Sequence, residues 1–315
     1  MTATQEARTA ERTPTTPVPD RRSRARRLDE PTWAVRALKG VVLVVICAAV
    51  VVPFVGIVST SLASPEQVTS SGGFVLWPDA VDLTAYRSIL AGGVVTRALL
   101  VSIGITAVGT LLSLAVSAML AYALSHRGTF AHRTMLMTVL LTMFFAPGLI
   151  PNYLVVKELG LLDTYWALIL PTAVSAFNVV VLRAFFMDIP RELIDSARID
   201  GAGEFAIFAR IVLPLSRAVL AVIGLFYAVA YWNAFFNALL YLSDTAKWPL
   251  QLVLRTYVVD NAQLGGADLG AVDHLPPQTS IQMAILVVSI VPILVVYPFL
   301  QRHFAKGVLT GAVKG

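Results

Sequence analysis

Six apolar runs, each long enough to cross a lipid bilayer and none carrying Asp, Glu or Lys in its core, leave this chain few ways to fold. In hydrocarbon every backbone N–H and C=O must be satisfied within the segment, so such runs form helices of about 20 residues. They fall at residues 40–63, 95–124, 135–156, 164–186, 217–242 and 281–300. The expected fold is all-α: a polytopic membrane protein with six transmembrane helices. Composition agrees, with 57% of the 315 residues hydrophobic and 14% charged, against about 45–50% apolar in a soluble domain. The first run ends in Ser61-Leu62-Ala63, like a signal-peptidase site, but it exceeds the 7–15 residue core of a signal peptide and five more runs follow. It is read as a retained anchor.

Charge placement orients the runs. Residues 1–39 are rich in Thr, Pro, Arg and Ala and carry Arg21, Arg22, Arg24, Arg26 and Arg27, which predicts a disordered basic tail near an anionic membrane face. With the amino terminus cytoplasmic, 19 of the 24 Lys and Arg fall on or beside the inner face, leaving Arg87, Arg97, Lys157, Lys247 and Arg255 outside. Both termini, including the tail 301–315, are then cytoplasmic. The net charge of +5 sets orientation and does not imply nucleic acid, since no base-reading residues accompany it. Cys47 is the single cysteine and lies in the first run, so no disulfide or zinc site forms within one chain. His126 and His132 share a loop with Arg127 and Arg133 but lack carboxylate or thiol partners for a metal; His274 and His303 fall in a loop and a flank.

The sequence contains no phosphate loop, G-x-S-x-G elbow, H-E-x-x-H pair or G-x-G-x-x-G fingerprint, so it is not read as an enzyme and should not hydrolyse ATP itself. Pro147-Gly148, Pro151 and Pro171 interrupt the third and fourth runs, and the carbonyls they free need partners inside the protein or in a water-filled passage. The polar groups at membrane depth are neutral: Asn178, Tyr227, Tyr231, Trp232, Asn233, Asn237 and Gln282. Amide groups beside aromatic faces suit a neutral polyhydroxylated solute, and these residues are the candidate solute pathway. The same groups equally serve interhelical hydrogen bonding.

One segment, 190–214, is too polar to span a membrane and must lie outside it. Asp188 is expected to cap a helix with Pro190 at its start, running through Glu192, Leu193, Ile194 and Ala197 until Gly201 and Gly203 interrupt it. A second short helix follows, with Glu204 in its first turn and Phe205, Phe208 and Ile211/Val212 on one face, before Pro214 bends the chain. The product is a bent pair of short helices with an apolar face and acidic positions Asp195 and Asp200. A plain amphipathic helix on lipid headgroups is the alternative.

The spacing favours a more specific reading. Asp195-Ser196-Ala197, three residues, Gly201, nine residues, then Ile211-Val212-Leu213-Pro214 resembles at every interval the E-A-A/G/I-x-L-P signature of ABC importer permeases. Asp replaces Glu with its charge kept, and Ser replaces Ala with its small size kept. Glu192 and the Asp200-Gly201-Ala202 turn resemble the sugar-uptake branch. AYALSHRGTF, PGLIPNYLVVKELGLLDTYWALILP and YPFLQRHFAKGVLTGAVKG look like the second permease of maltose-type carbohydrate importers. With WPLQLVLR, the last of these looks like the subgroup for complex oligosaccharides such as aldouronates.

That resemblance implies a multi-pass permease of a bacterial inner or plasma membrane. It would pair with a homologous second permease, two cytoplasmic ABC ATPase subunits and an extracytoplasmic solute-binding protein, and pass a sugar or oligosaccharide. It implies no cofactor on this chain, ATP and Mg being used by the partner ATPase. Glu192, Asp195, Ser196, Ala197, Asp200, Gly201, Phe205, Phe208, Ile211, Leu213 and Pro214 become the ATPase-coupling residues. The rival reading is a self-contained secondary carrier or channel for a neutral solute. An intramembrane enzyme would need catalytic Ser-His, paired Asp or metal residues at depth, and the sequence offers none there.

Overall fold

The longest uninterrupted helices are the most apolar stretches of the chain. In a computed structural model describing residues 33–312, apart from 127, 129, 146, 266, 267 and 270–274, with side chains to residue 298, they are Trp33–Leu62, Val94–Ser125 and Gln278–Ala312. The first two, and the last as far as Pro298, are long and apolar enough to cross a membrane unbroken. The arginine cluster 21–27, Arg127, Gly266 and His274 lie outside the described residues, as does the side chain of His303. No strand occurs among the described residues.

The chain divides into two compact units, residues 1–54 and 55–315. Within the first, the helix begins at Trp33, so the last residues of the expected tail are helical, and Val41, Leu43, Val44 and Val50 are exposed. The second unit begins two residues after Pro53. Here Thr60 exchanges hydrogen bonds with the backbone of Val75, and the Ser61 hydroxyl meets that of Tyr86 at 2.6 Å.

The second unit is organised around the Val94–Ser125 helix, which packs against Arg217–Trp232 and Ala176–Met187. Its contact face is made of small residues, which let the backbones approach. The Tyr231 ring lies directly over Gly109, where an added Cβ would fall 2.8 Å from the ring. Ser113 and Ser117 on the same helix pair with the hydroxyls of Tyr231 and Tyr227 at 2.7 and 2.6 Å.

Three of the six expected runs are broken. The third ends as a helix at Phe144, passes Pro147 and Gly148 at φ +83°, and resumes over Leu149–Glu158. The fourth divides into Trp166–Thr172 and Ala176–Met187, inclined at 53°. Pro171 lies in a tight final turn, where the Ala173 N–H bonds Leu170 O and leaves Ile169 O without its helical donor. Tyr231 donates its hydroxyl to Ile169 O at 3.2 Å, and the Ser175 N–H donates to the Tyr227 hydroxyl at 3.0 Å. The two tyrosines thus satisfy backbone groups that the break releases. The fifth run is not continuous either: a helix over Arg217–Trp232 ends at Asn233, whose amide donates to Val229 O at 2.8 Å, and Phe235–Tyr241 follows. Beyond residue 300 the backbone stays helical to Ala312, where the sequence suggests a tail.

A candidate coupling surface

Segment 190–214 folds as the expected bent pair, with different caps. Asp188 does not cap the first helix: it closes the preceding one, its N–H bonding Ala184 O and Phe185 O. Pro190 occupies the N-cap of Arg191–Ile199 without a side-chain hydrogen bond, because its ring fixes the entry angle that an Asx cap would otherwise supply. Glu192 in the first turn favours the positive helix end.

Gly201 ends this helix. Its N–H bonds Arg198 O at 3.0 Å and the Ala202 N–H bonds Ala197 O at 2.9 Å, while Gly201 sits at φ +83°. This is a Schellman ending, which needs a left-handed residue one position past the cap; a side chain there costs roughly 1–2 kcal/mol. The spacing from Ala197 to the glycine in the signature is therefore the spacing of the helix-ending bonds.

Gly203 then starts Glu204–Ile207, followed by a wide turn over Phe208–Val212 and the single turn Leu213–Leu215. Pro214 has no N–H for the carbonyl four residues back, so the widening falls where a helical bond is lost. At Ser216 the chain bends by 85° into Arg217–Trp232. Phe205 and Phe208 do not share a face as expected. Phe208 is 8% exposed and packs on Tyr122 at 5.0 Å, whereas Phe205 is 77% exposed. Ile207, fully buried, takes the inward place beside Phe208 and turns Phe205 outward.

The outer face gathers Glu192, Asp195, Ser196, Asp200 and Phe205 together with Leu193 and Ile199, the last 86% exposed. Ile194 is buried and Ala197, Ile211 and Leu213 are partly buried against the core, so they hold the segment rather than face a partner. Tyr122, Arg198 and Ile199 are missing from the expected set. The spacing of Asp195 and Arg198 is the one available signal, since residues three apart meet on a helix.

These two residues belong to an ionic chain. Arg198 donates through Nε and Nη2 to Glu204 Oε1 at 3.1 and 2.8 Å, and its Nη1 lies 3.6 Å from Asp195 Oδ1. The Tyr122 hydroxyl donates to Glu204 Oε2 at 2.8 Å. The Tyr122 hydrogen bond first, and Arg198 after it, hold the Glu204 carboxyl below the usual range, and Glu204 in turn raises the Arg198 guanidinium. Arg183 Nε donates to Leu124 O at 2.8 Å, so the end of the Val94–Ser125 helix is bonded both to the Ala176–Met187 helix and, through Tyr122, to Glu204. Tyr122, His126, Arg191, Asp195, Arg198 and Glu204 line a cavity of about 750 Å³ there.

The pathway candidates are dispersed by their bonding. Tyr227 and Tyr231 join helices, Trp232 donates to Ser289 O at 3.0 Å, and Gln282 donates to Tyr257 O at 2.7 Å. Asn178 is buried beside the Ser175 cap, Asn237 is half-buried and Asn233 is exposed. Among the described residues no three His, Cys, Asp or Glu come together to hold a metal.

Residues 113–310 match the family model described as binding-protein-dependent transport system inner membrane component. The chain is 47% identical over 267 residues to the polygalacturonan/rhamnogalacturonan transport system permease protein YtcP of Bacillus subtilis, covering 84% of this chain and 93% of the relative. It is 46% identical over 270 residues to protein LplC of the same organism, covering 85% and 90%. A solved chain from a bacterial ABC transporter involved in import of the acidic polysaccharide alginate superposes with a TM-score of 0.76 at 29% identity, covering 92% of this chain and all of that one. The chain is an all-helical, multi-pass membrane protein, and it belongs to the family of binding-protein-dependent transport system inner membrane components.

Proposed function

We propose that this chain is one of two homologous permeases of a carbohydrate importer in a bacterial inner or plasma membrane, coupled through segment 190–214 to two cytoplasmic ATPase subunits and fed by an external solute-binding protein. The chain is a transport subunit and not an enzyme; in this reading ATP and Mg belong to the ATPase. In this reading the chain crosses the membrane six times with both termini and segment 190–214 cytoplasmic, a topology that the distribution of Lys and Arg supports. The relatives named for carbohydrate transport support the substrate class.

The observation that carries the reading is the Gly201 ending: a left-handed glycine that fixes the angle at which Leu193, Ile199 and Phe205 are presented bare to a partner. Closure of the ATPases would push on that face, and the bend at Ser216 would convert the push into movement of the fifth span. Asp195 and Asp200, both exposed, are placed to meet basic residues of the ATPase. Asn233 and Asn237, at the break in the fifth run, are the best-placed of the seven pathway residues to meet a sugar.

The test is a pull-down from the native membrane with and without Gly201→Trp. The space around Gly201 is open, so the substitution acts on the turn and not by collision. The wild type should retain an ATPase and a second permease; the variant should insert normally, lose the ATPase and fail to drive uptake. Normal uptake by the variant overturns the assignment.

A further inference from the structure

The connection that follows the helix Trp33–Leu62 is built inside out. On residues 74–83 the side chains of Phe74, Leu76, Trp77, Val81 and Leu83 are all exposed, Trp77 at 81%. The backbone between them is bonded within the protein. Thr60 Oγ1 accepts the Val75 N–H at 2.9 Å and donates to Val75 O at 3.3 Å. Gln67, on the short helix Pro65–Ser70, bridges the next turn with both ends of its amide: Nε2 donates to Trp77 O at 2.9 Å and Oε1 accepts the Asp79 N–H at 3.0 Å. The Asp82 N–H then bonds Leu62 O at 2.8 Å. A loop in water can leave its peptide groups to solvent. Beside lipid the reverse holds: apolar side chains are left bare and peptide groups are satisfied internally.

The height of the loop agrees. Residues 41–58 carry neither a charge nor a hydroxyl and extend about 27 Å as a helix, close to the thickness of the hydrocarbon. Ser59, Thr60 and Ser61 follow. The Phe74 ring lies on Gly56, inside that apolar stretch, where no side chain would fit. Val75 is tied to Thr60 and Asp82 to Leu62, so the loop starts beside the apolar stretch and leaves at its end. Trp77, between those ties, belongs at the boundary of acyl chains and headgroups. Its indole N–H makes no hydrogen bond among the described residues, and a wet polar tip on an apolar ring suits that boundary. Residues 71–83 hold Asp79 and Asp82 but no Lys or Arg, so the loop has no charge to attract an anionic lipid.

We propose that residues 74–83 are a lipid-facing anchor: Trp77, with Leu76 and Val81, enters the leaflet at the Leu62 end of the first helix by about 5–10 Å, at a depth fixed by the Gln67 bridge. The partner is the bilayer itself, met through its apolar chains and not through its charge. The proposal needs the helix Trp33–Leu62 to cross the membrane, and it is independent of the importer reading.

The test reconstitutes the full chain, with the partners that co-purify with it, in phosphatidylcholine vesicles brominated either near the headgroup end of the acyl chains or near their methyl end. The fluorescence of Trp77 is taken as the difference between wild type and Trp77→Phe, a substitution at a side chain too exposed to disturb the fold. Shallow bromines should quench that signal roughly twofold and clearly more than deep ones, while iodide in the water has little effect. Adding phosphatidylglycerol should leave these values unchanged. Gln67→Ala should bring the two brominated lipids toward equal quenching, because the turn loses the bridge that sets its depth. Quenching by iodide and by neither brominated lipid would place Trp77 in water. Lipid quenching that vanishes when the external solute-binding protein is added would give Trp77 a protein partner instead. Either result overturns the proposal, as does quenching that needs phosphatidylglycerol or a depth that Gln67→Ala leaves unchanged.

Discussion

The two ends of the Val94–Ser125 helix are finished differently. Ser102 near one end accepts the Leu250 N–H at 2.7 Å, and Tyr122, about 30 Å away along the axis, donates to Glu204. At the Ser102 end the connections close on Asp163. Its carboxylate accepts the N–H groups of Ser243 and Asp244 at 3.1 and 3.0 Å and Lys247 Nζ at 2.7 Å. Its carbonyl accepts Lys247 again, its own N–H donates to Tyr241 O, and its φ of +58° is one that Asp tolerates. At the Tyr122 end Glu204 and Arg198 make an equally tight pair, yet Leu193, Ile199 and Phe205 beside it stand bare. One end uses its polar groups to finish a structure. The other leaves an apolar face exposed beside them.

The largest effect should come from filling that face with charge. Ile199→Asp together with Phe205→Asp removes two side chains, each worth about 1.5–3 kcal/mol on full burial, and adds two carboxylates to desolvate. Uptake should fall by roughly 100-fold or more with membrane insertion unchanged. Co-purification of the ATPase with this double variant would mean that the face is not where the partner sits. Asp163→Ala attacks the other end and should do the reverse: the apparent melting temperature drops by roughly 5 °C, while uptake per folded molecule stays near normal in the cold. A variant as stable as the wild type but poor in uptake would transfer the coupling role to the clamp and erase the contrast. Tyr122→Phe sharpens it more gently, since the ring can stay on Phe208 while the hydrogen bond to Glu204 goes. About a threefold rise in ATP hydrolysed per solute carried is expected, for a lost hydrogen bond of roughly 0.5–1.5 kcal/mol. An unchanged ratio would leave Tyr122 as packing only.

How far the sequence could reach differs between the same two regions. Segment 190–214 was legible because its constraint is local: Gly201 ends a helix by bonds within five residues, and Pro214 marks a bend whatever surrounds it. Which phenylalanine turns outward was not, because Phe205 and Phe208 have the same side chain and only the rest of the core, Tyr122 above all, decides between them. The clamp on Asp163 joins residues about eighty positions apart and leaves no periodic trace. Tyr227 and Tyr231 show the same limit. Read alone they suit a sugar, but the break near Pro171 has released backbone groups that need them first. Arg255 belongs to the WPLQLVLR run on which part of the family resemblance rests, yet the ring it lies over, Phe235, is twenty residues earlier and leaves no local signal.

Acid gives the smallest and most discriminating test, because both ends hold a carboxylate whose folded pKa is depressed. Lys247 is the leading cause at Asp163 and Tyr122 at Glu204. A depressed folded pKa contributes stability that is fully present above the unfolded value, about 4, and is lost as pH falls through the folded one. Lys247 and Arg198 are shifted upward, so their contributions fade only at strongly alkaline pH. Melting in detergent should therefore be flat from about pH 6 to 8 and decline below about 4. Asp163→Asn, which keeps acceptors for Ser243 and Asp244 but loses the charge, should flatten much of that decline. Glu204→Gln should flatten less of it, since the coupling end contributes less to holding the fold together. If Glu204→Gln instead removes most of the acid sensitivity, the Tyr122 end is the more rigid of the two and the distinction between a closed end and a presented one fails.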